Sequence, residues 1–189
     1  MSLILASTSR YRRELLQRLR VPFETAPPGV NEDALPGEAP ADLARRLARA
    51  KALHVSIGRP ESWILGSDQV AALGALTLGK PGTRGHAIAQ LTAMSGQEVH
   101  FYTAATLIRG QVVLEVMDTT TVRLRSLQRD DIERYIDAEQ PFDCAGSFKA
   151  EGLGISLFEH IESVDPTALV GLPLIAVSKM LREAGYVLP

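Results

Sequence analysis

One acidic residue stands where the surrounding sequence predicts an apolar strand. Residues 63–70 form a β-prone, largely apolar run, yet Asp68 interrupts it between Ser67 and Gln69. Such a run is typical of a buried strand. An ionised carboxylate left unpaired in the interior costs several kcal/mol, so Asp68 requires a cation, a metal ion or hydrogen-bond donors nearby. A solvated acid at a strand end is the alternative that this segment leaves open.

The turn at residues 7–13 has the composition of an anion-binding site. It combines the hydroxyl groups of Ser7 and Ser9 with the guanidinium groups of Arg12 and Arg13. A turn that joins a strand to a helix also presents unpaired backbone N–H groups at the positive end of the helix dipole. Ser7, Arg12 and Arg13 are therefore candidate phosphate ligands. The alternative is that Ser9 only caps the helix while both arginines are solvated.

Two lysines are further candidates for phosphate binding. Lys51 shares one side of a predicted helix at residues 40–56 with apolar residues, which allows its ammonium group to point into a cleft. Lys80 stands between Gly79 and Pro81 in a tight turn that can hold its side chain over a ligand. The alternatives are that Lys51 extends to solvent and that Lys80 has no ligand.

Two carboxylates have the chemistry of a site for a divalent metal cation. Glu32 in a predicted loop and Asp68 in a predicted strand supply hard oxygen ligands. Mg²⁺ or Mn²⁺ takes such ligands when substrate phosphates and water complete its coordination shell. The four histidines show neither HxxxH nor HExxH spacing, which disfavours zinc. A serine hydrolase is also disfavoured, because the sequence has no G-x-S-x-G motif.

Composition argues against several classes of protein. The chain has 189 residues, of which 46% are hydrophobic and 5% aromatic, and its net charge is −2. This charge argues against a stable nucleic-acid partner bound through a broad basic surface. No stretch approaches the roughly 18 consecutive apolar residues of a membrane span, and the single cysteine has no partner for an internal disulfide. We therefore expect a cytoplasmic protein that does not associate with membranes.

Helices and strands interleave along the whole chain. Hydrophobic periodicity predicts strands at residues 3–6, 21–26, 63–73, 76–78, 98–109, 112–125 and 152–158. It predicts helices at residues 10–19, 40–56, 84–94, 127–138 and 173–184. Because residues 98–125 form a predicted antiparallel hairpin, the expected fold class is α/β or α+β, with a mixed sheet flanked by helices.

Several short motifs, in their order along the chain, resemble those of the Maf family of nucleoside triphosphate pyrophosphatases. They are Leu5-Ala6-Ser7, Arg12-Arg13, Glu32, Ala50-Lys51-Ala52, Gly66-Ser67-Asp68, Gly79-Lys80-Pro81, Ala145-Gly146-Ser147 and Val170-Gly171-Leu172-Pro173. The resemblance implies one domain over residues 1–189 with an ITPase-like fold, in which two lobes enclose a nucleotide cleft. It also implies a divalent metal cofactor, a homodimer and hydrolysis between the α and β phosphates. In this hypothesis Asp68 deprotonates or orients the attacking water.

Base preference divides the family into branches. The branch that acts on dTTP and UTP carries threonine after the catalytic aspartate, whereas this chain has Gln69 there and Glu151 in its late loop. It therefore resembles the branch that acts on 7-methyl-GTP, although Tyr11 stands where that branch usually has tryptophan. We expect Tyr11 to stack on the cationic base, Glu151 to accept two guanine N–H groups and Gln69 to contact the base edge. The alternatives are a dTTP/UTP pyrophosphatase and a non-catalytic nucleotide-binding regulator of septum formation.

Overall fold

The computed structural model describes residues 2–189, and a mixed seven-stranded sheet forms its centre. The strands are β1 (Leu3–Ala6), β2 (Glu24–Ala26), β3 (Trp63–Leu73), β4 (Leu76–Leu78), β5 (Glu98–Arg109), β6 (Val112–Leu124) and β7 (Phe158–Glu162). Their order is β2-β1-β3-β5-β6-β7, and β4 pairs with β3 outside this path. Strand β1 runs parallel to both β2 and β3, whereas the other pairs are antiparallel. The predicted mixed α/β class is confirmed.

Five α-helices and three short 3₁₀ turns connect the strands in this part of the chain. The helices are α1 (Arg10–Gln17), α2 (Pro40–Ser56), α3 (Arg84–Met94), α4 (Arg129–Glu139) and α5 (Leu174–Glu183). The 3₁₀ turns are Ala145–Ser147, Leu153–Leu157 and Ala168–Val170. None of the helices within residues 2–189 has the length and apolar character needed to cross a membrane.

Two large apolar clusters hold the helices on the sheet. In one cluster, α1 and α5 pack against β1, β3 and β5 through residues such as Leu15, Leu65 and Val177. In the other, α3 and α4 pack against β5 and β6 through residues such as Leu91 and Ile136. The short strand β1 and the first half of β3 are fully buried because helices cover them.

Helix α2 packs very closely against β3, and glycine makes this possible. A Cβ atom at Gly66 would overlap the carbonyl oxygen of Ala48, so no larger residue fits without movement of the backbone. Ala48 and Ala52 are fully buried on the same side of α2. The close approach brings Lys51, which lies between these two alanines, against the strand that carries Asp68.

One predicted strand is wrong, at residues 152–158. Most of this segment is the 3₁₀ turn Leu153–Leu157, and the strand starts only at Phe158. The backbone N–H of Leu153 donates to Glu139 Oε2 at 2.9 Å, so the segment turns back onto α4. Gly154 lies so close to the Lys149 carbonyl oxygen that a Cβ atom would overlap it. Leu157 of this turn packs into the core, whereas Leu153 and Ile155 are exposed, and the turn does not join the sheet.

Candidate active site

Most of the predicted site residues line one open cleft with a volume of about 740 Å³. Those present in its lining are Ser7, Tyr11, Arg12, Glu32, Lys51, Asp68, Gln69, Lys80 and Glu151. They come from α1, α2, β3 and the loops that follow β1, β2, β4 and α4. The fold thus assembles into one cleft residues that are far apart in the sequence.

Arg13 is the exception among the predicted phosphate ligands. It lies at a separate shallow depression that Gln17 and Glu24 also line, and its side chain is exposed. Successive residues of a helix point in different directions, so Arg12 and Arg13 cannot both face the cleft. The structure therefore does not bring Arg13 into the cleft with the other predicted phosphate ligands, and a role for Arg13 in phosphate binding stays a prediction.

A three-residue ion cluster lies in the cleft around Lys51. Its Nζ atom is 2.6 Å from Asp68 Oδ1 and 2.6 Å from Glu32 Oε1. The side chains of Lys51 and Asp68 are only 4% and 8% exposed, whereas that of Glu32 is 58% exposed. Asp68 is therefore a buried acid paired with a cation, and the alternative of a solvated acid at a strand end is excluded.

The charges around this cluster favour the ionised form of Glu32. Burial alone would raise the pKa of Glu32, but the hydrogen bond from Lys51 and the charges of Lys51, Lys80 and Arg12 outweigh it and lower the pKa. Burial lowers the pKa of the Arg12 guanidinium, which Asp68 and Glu32 partly restore. Three cations and two carboxylates therefore act on one another in one region of the cleft.

The turn before α1 has the local structure of a helix N-terminus. Ser9 is the N-cap, and its hydroxyl accepts a hydrogen bond from the Arg12 backbone N–H at 3.4 Å. The Ser7 hydroxyl accepts one from the Ser9 N–H at 3.1 Å and is almost fully buried. The Arg12 side chain donates from Nε to the Gly171 carbonyl at 3.0 Å. Ser9 thus caps the helix, and Ser7, Ser9 and Arg12 all line the cleft.

Tyr11 already holds a cation on its ring. The guanidinium carbon of Arg10 lies 4.9 Å from the ring centroid, and Arg10 Nη2 donates to the Tyr11 hydroxyl at 3.2 Å. The hydroxyl is 3.5 Å from Asp143 Oδ2, and burial raises the pKa of Tyr11 to about 12. One face of Tyr11 is therefore occupied, which no sequence pattern predicted.

Glu151, the other residue predicted to recognise the base, is exposed and has no ion-pair partner within residues 2–189.

Gln69 does not present its amide nitrogen to a ligand. Nε2 donates to the carbonyl oxygens of Ala168 and Leu169 at 2.9 and 3.0 Å, and it lies 3.0 Å from Thr103 Oγ1. Because a carboxamide nitrogen carries two hydrogens, these oxygens use its donor capacity. The predicted contact with a base edge is limited to the Gln69 Oε1 atom.

Gln90 is a residue of this region that sequence reasoning missed. Its Oε1 accepts from the Ser147 hydroxyl at 2.5 Å, and its Nε2 donates to the Gly79 carbonyl at 3.1 Å. It therefore ties the loop that carries Lys80 to the turn at residues 145–147. A single polar residue on α3 carries no sequence signal for such a role, because its two partners are far away in the chain.

The fold and the cleft together define a mixed-sheet α/β protein with an open cleft lined by charged residues. The same fold occurs in the Ham1 protein of Staphylococcus aureus, with a TM-score of 0.55 over 98% of this chain and 100% of that one. The two sequences are only 10% identical, so the likeness concerns the fold.

The chain belongs to the Maf family. The family model described as "Maf-like protein" matches residues 2–184, which confirms the resemblance seen in the motifs. A protein of Xanthomonas oryzae pv. oryzae named "7-methyl-GTP pyrophosphatase" is 60% identical over 99% of this chain and 98% of its own length. Proteins of the same name from Aromatoleum aromaticum and Pseudomonas putida are 53% and 51% identical, each over 99% of this chain and 97% and 98% of their own lengths.

Proposed function

We propose that the protein hydrolyses 7-methyl-GTP to 7-methyl-GMP and diphosphate, and thereby removes a modified nucleotide from the cell. The observation that carries this proposal is the Lys51–Asp68 ion pair, buried in a cleft that Arg12 and Lys80 also line. A carboxylate held among cations suits the attack of water on a polyphosphate. The full-length relatives named for this activity support the choice of substrate.

In this proposal, Asp68 acts on the water that attacks the α-phosphorus. The carboxylate accepts a proton from water or orients it, while the bond between the α-phosphorus and the bridging oxygen breaks and diphosphate leaves. Lys51 holds Asp68 Oδ1 through a 2.6 Å hydrogen bond, which fixes the carboxylate in the cleft. Arg12 and Lys80 bind the charged phosphates and oppose the charge that develops as diphosphate leaves.

Glu32 and Asp68 fit a divalent cation such as Mg²⁺ or Mn²⁺. Each places an oxygen 2.6 Å from Lys51 Nζ, so the two carboxylates lie close together, and a cation would be held by the carboxylate oxygens that Lys51 does not occupy. In the described part of the chain, no cluster of three or more His, Cys, Asp or Glu residues suits a metal, so substrate oxygens and water have to supply the remaining ligands. When bound, such a cation neutralises charge on the phosphates and orients them.

Tyr11 and Glu151 are proposed to recognise the base. The ring of 7-methylguanine is cationic, and a cation over a tyrosine face gains about 0.5–2 kcal/mol. Tyr11 already accepts the Arg10 guanidinium in this way, so a base that stacks on Tyr11 would take the opposite face of the ring or displace Arg10. The exposed Glu151 carboxylate suits the N1–H and N2–H groups of guanine, which a pyrimidine does not offer together.

A homodimer and a cytoplasmic location remain predictions that accompany this proposal. The family resemblance supports the dimer, and composition supports the location. Light scattering coupled to size-exclusion chromatography measures the mass of the particle directly. A mass close to twice 20.5 kDa supports the dimer, whereas a mass of one chain contradicts it.

The variant Asp68→Asn tests the assigned role. It keeps the size of the side chain but removes the carboxylate that acts as general base. We therefore expect turnover of 7-methyl-GTP to fall about 10²–10⁴-fold while nucleotide binding is retained. Asp42→Asn is the matched control, since Asp42 is exposed on α2 and does not line the cleft. Folded Asp68→Asn protein with a rate close to wild type would refute the assignment.

A further inference from the structure

The two residues that flank Asp68 project to the other face of β3. Side chains alternate along a strand, so Asp68 points towards α2 while Ser67 and Gln69 point away from it. Gln69 also pairs with Thr103 of β5 in the register of the sheet. On this second face, the three polar side chains meet residues 168–171, a segment that also lines the cleft.

Gln69 and Thr103 hold the first part of this segment. Gln69 Nε2 donates to the carbonyl oxygens of Ala168 and Leu169, and Thr103 Oγ1 donates to that of Ala168 at 3.0 Å. The Ala168 carbonyl also accepts the backbone N–H of Gly171 at 2.9 Å, so the side-chain donors reinforce the bond that closes the turn and add a donor for the Leu169 carbonyl. The sheet therefore fixes the position of the turn directly.

The end of the segment holds a residue proposed to bind phosphate. The Gly171 carbonyl oxygen accepts a hydrogen bond from Arg12 Nε at 3.0 Å, and it lies 3.3 Å from Ser67 Oγ, whose hydroxyl donates to the Ala104 carbonyl at 2.8 Å. A guanidinium group is planar, so a bond at Nε restricts the plane that contains its four remaining N–H donors. The orientation of the Arg12 guanidinium plane therefore depends on the position of Gly171.

We propose that Gln69 is a positioning residue that fixes residues 168–171 and, through the Gly171 carbonyl, orients Arg12 towards phosphate. This inference rests on the proposed function and deepens it, because it gives the Gln69 amide nitrogen a part in phosphate binding and leaves only Oε1 for the base. Asp68 and Gln69 thus serve opposite faces of one strand. Asp68 acts on water, and Gln69 positions Arg12, which binds phosphate.

Binding of inorganic pyrophosphate, measured by calorimetry with Mg²⁺, tests this role without turnover. Gln69→Met removes both hydrogen bonds to the turn at similar side-chain size, so we expect affinity for pyrophosphate to fall about tenfold. The kcat/KM values for 7-methyl-GTP and for GTP should fall by the same factor. In an Arg12→Lys background, which lacks the Nε donor, Gln69→Met should have little further effect on pyrophosphate binding.

Two results would overturn the inference. Unchanged pyrophosphate affinity together with an altered ratio between 7-methyl-GTP and GTP would make Gln69 a base contact. Independent, additive losses in the double variant would show that Gln69 does not act through Arg12. Thr103→Val serves as a second variant if Gln69→Met does not fold; it removes the hydroxyl that donates to the Ala168 carbonyl and should produce a smaller loss in the same direction. If no nucleotide is hydrolysed, the proposed function fails, while the pyrophosphate cycle still decides the role of Gln69.

Discussion

Removal of the Lys51 ammonium group should destabilise the protein in a way that a divalent cation reverses. Lys51→Met keeps the apolar stem of the side chain and leaves the buried Asp68 carboxylate without its cation. Breaking a buried ion pair costs about 3–5 kcal/mol, and Glu32 adds little because more than half of its side chain is exposed to water. We therefore expect a loss of about 3 kcal/mol in the free energy of unfolding. For a chain of this length, that lowers Tm by roughly 6–12 °C.

Thermal unfolding with and without Mn²⁺ measures both parts of this prediction. The cation should raise the Tm of Lys51→Met more than that of wild type, because it replaces the missing positive charge between Asp68 and Glu32. Arg45→Met is the matched control on the same helix, since its ion pair with Asp42 is exposed and should contribute little. A Tm loss no larger than that of Arg45→Met, or equal responses to Mn²⁺, would refute the account of this cluster.

Two further predictions concern base selection and pH. Glu151→Gln should reduce the preference for 7-methyl-GTP over UTP by at least about tenfold and leave pyrophosphate binding unchanged, because the lost charge lies at the base; equal losses for all nucleotides would make Glu151 structural. The pKa of Glu32 is lowered from 4.5 in the folded protein, so ionised Glu32 stabilises the fold above that value and this contribution is lost as the pH falls through the lowered pKa. The Tm difference between wild type and Glu32→Gln should therefore be present at about pH 6 and disappear at strongly acidic pH, and a difference that grows on acidification would contradict this sign.

Local sequence patterns predicted most of the helices and strands, because hydrophobic runs and cap residues directly favour these elements. The apolar run at β3, the proline at the start of α2 and the Thr83 cap of α3 each predicted an element that the structure contains. Residues 152–158 show where this reasoning fails. Their apolar residues suggested a strand, yet Leu153 and Ile155 are exposed and Leu157 is buried, so a short apolar run does not distinguish a 3₁₀ turn from a strand.

The part of the site that could be predicted is the part where the burial of one charged residue requires a partner of opposite charge. Asp68 needed a cation within a buried strand, and Lys51 on the apolar side of α2 supplies it. The occupied amide of Gln69 was not predictable, because its partners lie about 100 residues later in the chain. The direction of Arg13 depends on the rotation of α1 about its axis, which a run of basic residues does not specify.

The most direct test of the central claim is pyrophosphate release from 7-methyl-GTP, GTP, dTTP, UTP and CTP under identical conditions with Mg²⁺ or Mn²⁺. The proposed function predicts that kcat/KM is highest for 7-methyl-GTP and that diphosphate is the second product. A preference for dTTP and UTP would keep the phosphate chemistry and contradict the assignment of Tyr11 and Glu151 to base recognition. Saturable binding without release of pyrophosphate from any of these nucleotides would contradict the proposal that the protein is a pyrophosphatase.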